Sequence, residues 1–183
     1  MARKVEVVPF SEQWAEQFRC EADKMKDVFQ NGCVEIYHIG STSVPGMRAK
    51  PIIDIMVEVH NLDEVDRFNK QMAELGYEAL GEHGIAKRRF FRKGGEERTH
   101  HVHVFQKGSE HIERHLAFKE YMVAHFDQAK EYSKLKQMLA QQFPLDIGSY
   151  TEGKDPFIKK EEQEALTWYR KRRKGESSAA ETD

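Results

Sequence analysis

The segment Ile52-Ile53-Asp54-Ile55-Met56-Val57-Glu58-Val59 most constrains what this chain folds into. Its β-branched residues make residues 52–59 a strand that is largely buried. An ionised carboxylate inside such a strand costs several kcal/mol unless it is paired or binds a metal. Asp54 therefore needs a partner. Upstream, residues 34–39 (Val-Glu-Ile-Tyr-His-Ile) read as another strand, which runs into the polar turn 40–46 (Gly-Ser-Thr-Ser-Val-Pro-Gly). Gly40 lets the backbone come close to a ligand. Ser41, Thr42 and Ser43 offer hydroxyls and amides to phosphate oxygens.

The rest of the chain supplies elements to pack around these strands. Residues 4–9 form a short apolar run ending at Pro9 and read as an edge strand. Trp14, Phe18, Ala22, Met25 and Phe29 recur at helical spacing after Ser11, and Asn31-Gly32 ends that helix. Asn61 and Glu64 make a capping-box-like pair for a second helix, whose stripe is Leu62, Val65, Phe68, Met72 and Leu75 and whose stop is Gly76. Residues 77–80, 86–92 and 99–106 read as strands, with Gly94-Gly95 as a hairpin turn. Helices follow at about 109–126, 127–142 and 155–173, the last opened by Asp155-Pro156. This order gives an α+β fold: a mixed sheet with helices packed on it and a helical C-terminal half.

Composition narrows the function classes. The 183 residues suit one domain, expected over 1–173, with 174–183 as a disordered tail. With 29 basic and 31 acidic residues, net charge is -2, which argues against nucleic acid as a partner. The basic run Arg170 to Lys174 complements a helix C-terminus. No run approaches a membrane span and no leader is apparent. Cys20 and Cys33 make no disulfide framework, so a reducing, cytoplasmic setting is expected.

The string His38-Ile39-Gly40-Ser41-Thr42-Ser43-Val44-Pro45-Gly46 with Lys50-Pro51-Ile52-Ile53-Asp54 resembles the GrpB family closely. Arg89-Phe90-Phe91, Thr99-His100-His101-Val102-His103-Val104, and Tyr150 with Lys154 extend the resemblance over roughly residues 5–170. Ile-Gly-Ser followed by an Asp on a strand also resembles the signature of polymerase-β-like nucleotidyltransferases. That resemblance implies a nucleotidyltransferase-like sheet in which Gly40 and Ser41 grip nucleotide phosphates and Asp54 is the catalytic, metal-holding carboxylate. It implies an NTP as substrate and a divalent metal, Mg²⁺ or Mn²⁺, as cofactor. Thr42, Ser43, Lys50, Arg89 and Lys154 are the further nucleotide-binding candidates.

The match is incomplete at one point. The second carboxylate of the superfamily's Asp-x-Asp pair is Met56 here, and Glu58, on the same strand face, lies about 13 Å from Asp54. His101 and His103 alternate onto one face of their strand. If that strand lies beside Asp54, the three residues form a two-histidine, one-carboxylate metal set that favours Mn²⁺, Fe²⁺ or Zn²⁺ over Mg²⁺. Three functions follow as expectations. The first is a nucleotidyltransferase acting on a small molecule or protein. The second is a catalytically degenerate binder of a nucleotide or phosphorylated metabolite, linked by analogy to coenzyme A. The third is a protein-binding accessory domain. Met56→Asp is expected to raise Mg²⁺-dependent activity if the site is degenerate.

Overall fold

The computed structural model describes residues 3–180, with side chains through Ser178. Five strands form one mixed sheet: β1 (Cys33–Ile39), β2 (Ile53–Val59), β3 (Tyr77–Ala79), β4 (Arg88–Lys93) and β5 (His100–Gln106). Their order across the sheet is β1-β2-β5-β4-β3, and only the β2–β5 pair is parallel. The helices are α1 (Gln13–Phe29), α2 (Asn69–Glu74), α3 (Glu110–Ala124), α4 (Phe126–Gln142) and α5 (Ile147–Ala180). The expected α+β class, with its helical C-terminal half, is what the chain adopts.

The period of two along β2 and β5 divides the molecule. Ile53, Ile55, Val57 and Val59 of β2 and Val102 and Val104 of β5 point to one face, where Trp14, Ala22, Met25 and Phe29 of α1 cover them. The same odd-even rule sends Asp54, Met56, His101, His103 and Phe105 to the opposite face, toward the helical half. There Met56 packs with Ile39, Phe105 and Ile112. A separate cluster of Val44, Met47, Ala117, Met122, Ala129, Tyr132 and Ala165 binds α3, α4 and α5 to the Gly40–Gly46 turn.

Several sequence expectations are corrected. Residues 4–9 form no strand; Val8 makes a single bridge to Ala49, and Val5 donates its N–H to the Pro144 carbonyl, so the segment is held by isolated contacts rather than a ladder. The helix after Asn61 begins as a 3-10 helix, Leu62–Phe68, before α2. Asn61 does cap it, accepting from the Asp63 N–H at 3.0 Å. The last helix starts at Ile147, not 155, because Asp146 caps it, accepting from both the Ser149 N–H and hydroxyl. Pro156 thus lies inside the helix, where its missing N–H removes one bond of the ladder. The expected disordered tail also differs: α5 continues to Ala180, with Arg172 and Glu176 paired one turn apart at 3.4 Å. Residues 181–183 lie outside the described residues.

Glu21 ties α1 to the far edge of the sheet. Its side chain is only 6% exposed, accepts from Tyr77 Oη at 2.7 Å, and pairs with Lys24 and Lys93 at 2.8 and 3.2 Å. Burial raises its pKa, but the bonds from Lys24 and Tyr77 and the Lys93 charge outweigh burial and lower it to about 2. The resulting stability is fully present above the unfolded value of 4.5 and is lost as pH falls from there toward about 2. At 1.36 kcal/mol per pKa unit it is worth roughly 3 kcal/mol. Glu21→Gln is therefore expected to unfold more easily than the parent at pH 7, with the gap closing by pH 2–3. Urea melts across pH measure this, and a gap that stays constant would contradict it.

Candidate functional site

The site is built where β2 and β5 run side by side. The parallel register sets Asp54 opposite His101 and Met56 opposite His103. Both imidazoles turn to the same carboxylate oxygen: His103 Nε2 lies 3.2 Å and His101 Nδ1 3.6 Å from Asp54 Oδ1. Burial acts to raise the Asp54 carboxyl, but these imidazoles overcome it and hold the acid well below the usual carboxylate range. Arg88 NH1 lies 3.3 Å from His103 Nδ1. A guanidinium only donates, so Nδ1 accepts and Nε2 carries the proton given to Asp54. Arg88 is itself buried, bonded to the His83 and Glu82 carbonyls and lying over the Phe90 ring.

Gly40 brings the turn onto this carboxylate. Its φ is +72°, and a Cβ there would stand 2.7 Å from Asp54 Oδ2. Both facts demand glycine. Ser41–Ser43 then coil into one 3-10 turn. His38 Nε2 lies 2.9 Å from Thr42 Oγ1, and Ser43 donates to the Gly40 carbonyl at 2.6 Å. Burial first, then the Lys119 charge, lowers the His38 pKa to about 4, so this turn is held by a neutral imidazole.

Ser41, Thr42, Lys50, Asp54, His101 and Lys154 line a single cavity of about 140 Å³, which Lys136 and Tyr150 complete. Lys50 and Lys154 place their ammonium groups 5.4 and 4.6 Å from the centre of the Tyr150 ring. Neither makes a hydrogen bond or ion pair among the described residues. Tyr150 and Lys154 sit one turn apart on α5, which is why they meet. Burial and the Lys50 charge lower the Lys154 pKa to about 8, and burial lowers that of Lys50. Two polar atoms of the lining residues, Tyr150 Oη and His101 Nε2, are buried without a hydrogen-bond partner in the protein. Each such atom costs about 1–3 kcal/mol until something bonds to it.

Not every expected residue arrives. Arg89 points to the α1 face, where it pairs with Asp66 at 2.9 Å. Arg88, one position earlier, has the parity of the site. Sequence reading also missed Lys136, which resembles any solvated helix lysine. The available signal was spacing: Ala129, Tyr132, Lys136 and Leu139 form one buried stripe at helical intervals. Gly153 lets α5 approach α4 there, since a Cβ would meet Leu139 at 2.5 Å.

Among the described residues no group of three His, Cys, Asp or Glu side chains is arranged to hold an ion. Asp54, His101 and His103 do come together, with one nitrogen of each imidazole within 3.6 Å of Asp54 Oδ1. Glu58 accepts from Tyr37 Oη at 3.2 Å, outside the cavity. Met56 is fully buried in its apolar cluster. A carboxylate there is uncompensated, and the change is expected to cost about 3–5 kcal/mol of stability. Urea unfolding tests this; an equally stable variant that gains Mg²⁺-dependent activity would contradict it.

Comparisons with known proteins agree with the fold. The GrpB protein family model matches residues 4–164. The crystal structure of conserved protein GrpB from Enterococcus faecalis superposes with TM-score 0.87 and 44% identity, over 90% of this chain and 99% of that one. Protein YqkA of Bacillus subtilis is 49% identical over 97% of this chain, and this chain spans only half its length. Glutamate-rich protein GrpB of Alkalihalophilus pseudofirmus is 34% identical over 85% of this chain and 92% of its own. The Cid1 poly(U) polymerase structure aligns at TM-score 0.43 and 14% identity over 72% of this chain and 44% of that one, a likeness too loose to carry an activity across. No helix among the described residues is long and apolar enough to cross a membrane. With its signature turn, its Asp54 strand and a family match over most of its length, this chain belongs to the GrpB family.

Proposed function

We propose that the protein binds the phosphate groups of a nucleotide or another phosphorylated small molecule in the cavity beside Ser41. The observation that carries this reading is the pair of unpaired ammonium groups, Lys50 and Lys154, facing one cavity with the Ser41 and Thr42 turn. Lys50 and Lys154, both partly buried, share the single charge of Asp54, so the cavity keeps an excess of positive charge that an anion offsets. The one carboxylate present, Asp54, is already occupied by two imidazoles. The partnerless Tyr150 hydroxyl suits a remaining lone pair of such a ligand.

The volume bears on the ligand. About 140 Å³ has room for one or two phosphate groups, so a nucleoside would extend past the cavity mouth. Metal-dependent nucleotidyl transfer is the second reading, favoured by the position of Asp54 against Gly40. It asks a single carboxylate to do the work of two or three. A 77-residue likeness, 34% identical, to the dephospho-CoA kinase of Mycobacterium tuberculosis makes dephospho-CoA and coenzyme A natural candidates beside the NTPs.

Calorimetry with inorganic pyrophosphate, ATP, dephospho-CoA and coenzyme A, each in EDTA and in Mg²⁺, tests the reading. Binding is expected to persist in EDTA. Lys50→Ala and Lys154→Ala are each expected to weaken it about 10- to 100-fold, the scale of one charge-assisted hydrogen bond. An anion raises the pKa of the lysine it meets, so binding draws in a proton and affinity falls as pH rises past about 8, the value of free Lys154. Binding only with Mg²⁺ would favour transfer, and no binding of any of the four would contradict the anion site.

A further inference from the structure

Lys136 is the deepest lysine of the cavity and differs from the other two. It projects from the middle of α4, is 2% exposed, and lies over the Tyr132 ring with Nζ 4.3 Å from the ring centre. Among the described residues no carboxylate pairs with it. Its Nζ is bonded to the Arg48 carbonyl and lies 2.9 Å from Ser41 Oγ. Lys136 is thus committed to Ser41 and to a backbone carbonyl, while Lys50 and Lys154 remain for the anion.

We propose that Ser41 is a nucleophile activated by Lys136, taking a phosphoryl group from a phosphoanhydride bound by Lys50 and Lys154. The proposal rests on the anion-site reading above. Once neutral, an amine that gives one N–H to a carbonyl can turn its lone pair to a hydroxyl 2.9 Å away and act as its general base. Burial first, then the Lys154 and Lys50 charges, lowers the Lys136 pKa to about 6, so the amine is largely neutral at pH 7. Burial pushes the Tyr132 and Tyr150 phenols, the other titratable groups near it, well above their ordinary range, so both stay protonated. Asp54 faces the same cavity but is held by its histidines.

The step balances. Ser41 Oγ forms a bond to phosphorus as its proton passes to Lys136 Nζ. The bridging P–O bond breaks, and its electron pair leaves with the departing phosphate, nucleoside diphosphate or carboxylate. Water attack on the phosphoserine then returns the serine and releases phosphate, and Lys136 gives its proton to solvent. The donor class is an NTP or an acyl phosphate.

The test incubates the full chain with ATP or acetyl phosphate, quenches it in acid, and reads Ser41 by peptide mass spectrometry. Pyrophosphate affinity is measured on the same preparation. The expected result is a phosphate adduct on Ser41 that is absent in Ser41→Ala. Its rate of formation at donor concentrations well below saturation is expected to rise with pH through an apparent pKa near 6, that of the ligand-free site. Lys136→Arg keeps a cation but supplies no base, and is expected to lower the rate at least a hundredfold. Normal pyrophosphate binding without any adduct overturns the nucleophile and leaves the anion site standing. An adduct forming at the parent rate in Lys136→Arg overturns the role of Lys136. Loss of pyrophosphate binding in the parent itself overturns the anion site and the nucleophile with it.

Discussion

The parallel pairing of β2 with β5 is the constraint on which the rest of the molecule depends. It closes the centre of the sheet, sets six aliphatic side chains under α1, and delivers Asp54, His101 and His103 together on the opposite face. A carboxylate inside a central strand is tolerable only because those imidazoles share its desolvation. The tolerance has a chemical consequence. Asp54 is bound from within the protein, so it serves first as an anchor. It orders the histidines and leaves Gly40 as the one residue type able to lie against it.

With the acid engaged, the electrostatics of the cavity are set by lysines drawn from three places: the loop before β2, the middle of α4 and the first turns of α5. No two are near in sequence, and the helical half is what assembles them. That half also packs on the 3-10 turn through Val44 and Met47, so the hydroxyls of the turn and the ammonium groups are held by one apolar cluster. The division of labour follows from hydrogen-bond capacity. Lys136 is used up by Ser41 and the Arg48 carbonyl, whereas Lys50 and Lys154 lie by the Tyr150 ring with no hydrogen bond or ion pair among the described residues.

Much of this was legible in the sequence, for physical reasons that differ by residue. Gly40 and Asp54 stood out because each violates the expectation for its surroundings, and His101 and His103 because strand periodicity puts them on one face. What defeated sequence reading was parity and context. Arg89 and Arg88 differ by one position on β4, and only the register with β5 tells which one reaches His103. Lys136 was hidden because a lysine on an amphipathic helix is nearly always solvated, and its place in the buried stripe shows only once the stripe is drawn through it. The start of α5 was misplaced because Asp155-Pro156 is a good helix opening, while the Asp146 cap further upstream takes precedence.

The central claim is that this cavity receives an anion rather than a cation. Anomalous diffraction from crystals soaked separately in tungstate and in Mn²⁺ tests it most directly. The account predicts a tungsten peak between Lys50, Lys154 and Ser41, with no manganese peak at Asp54. A manganese ion held by Asp54 and the two histidines, with no tungstate bound by the lysines, would contradict it.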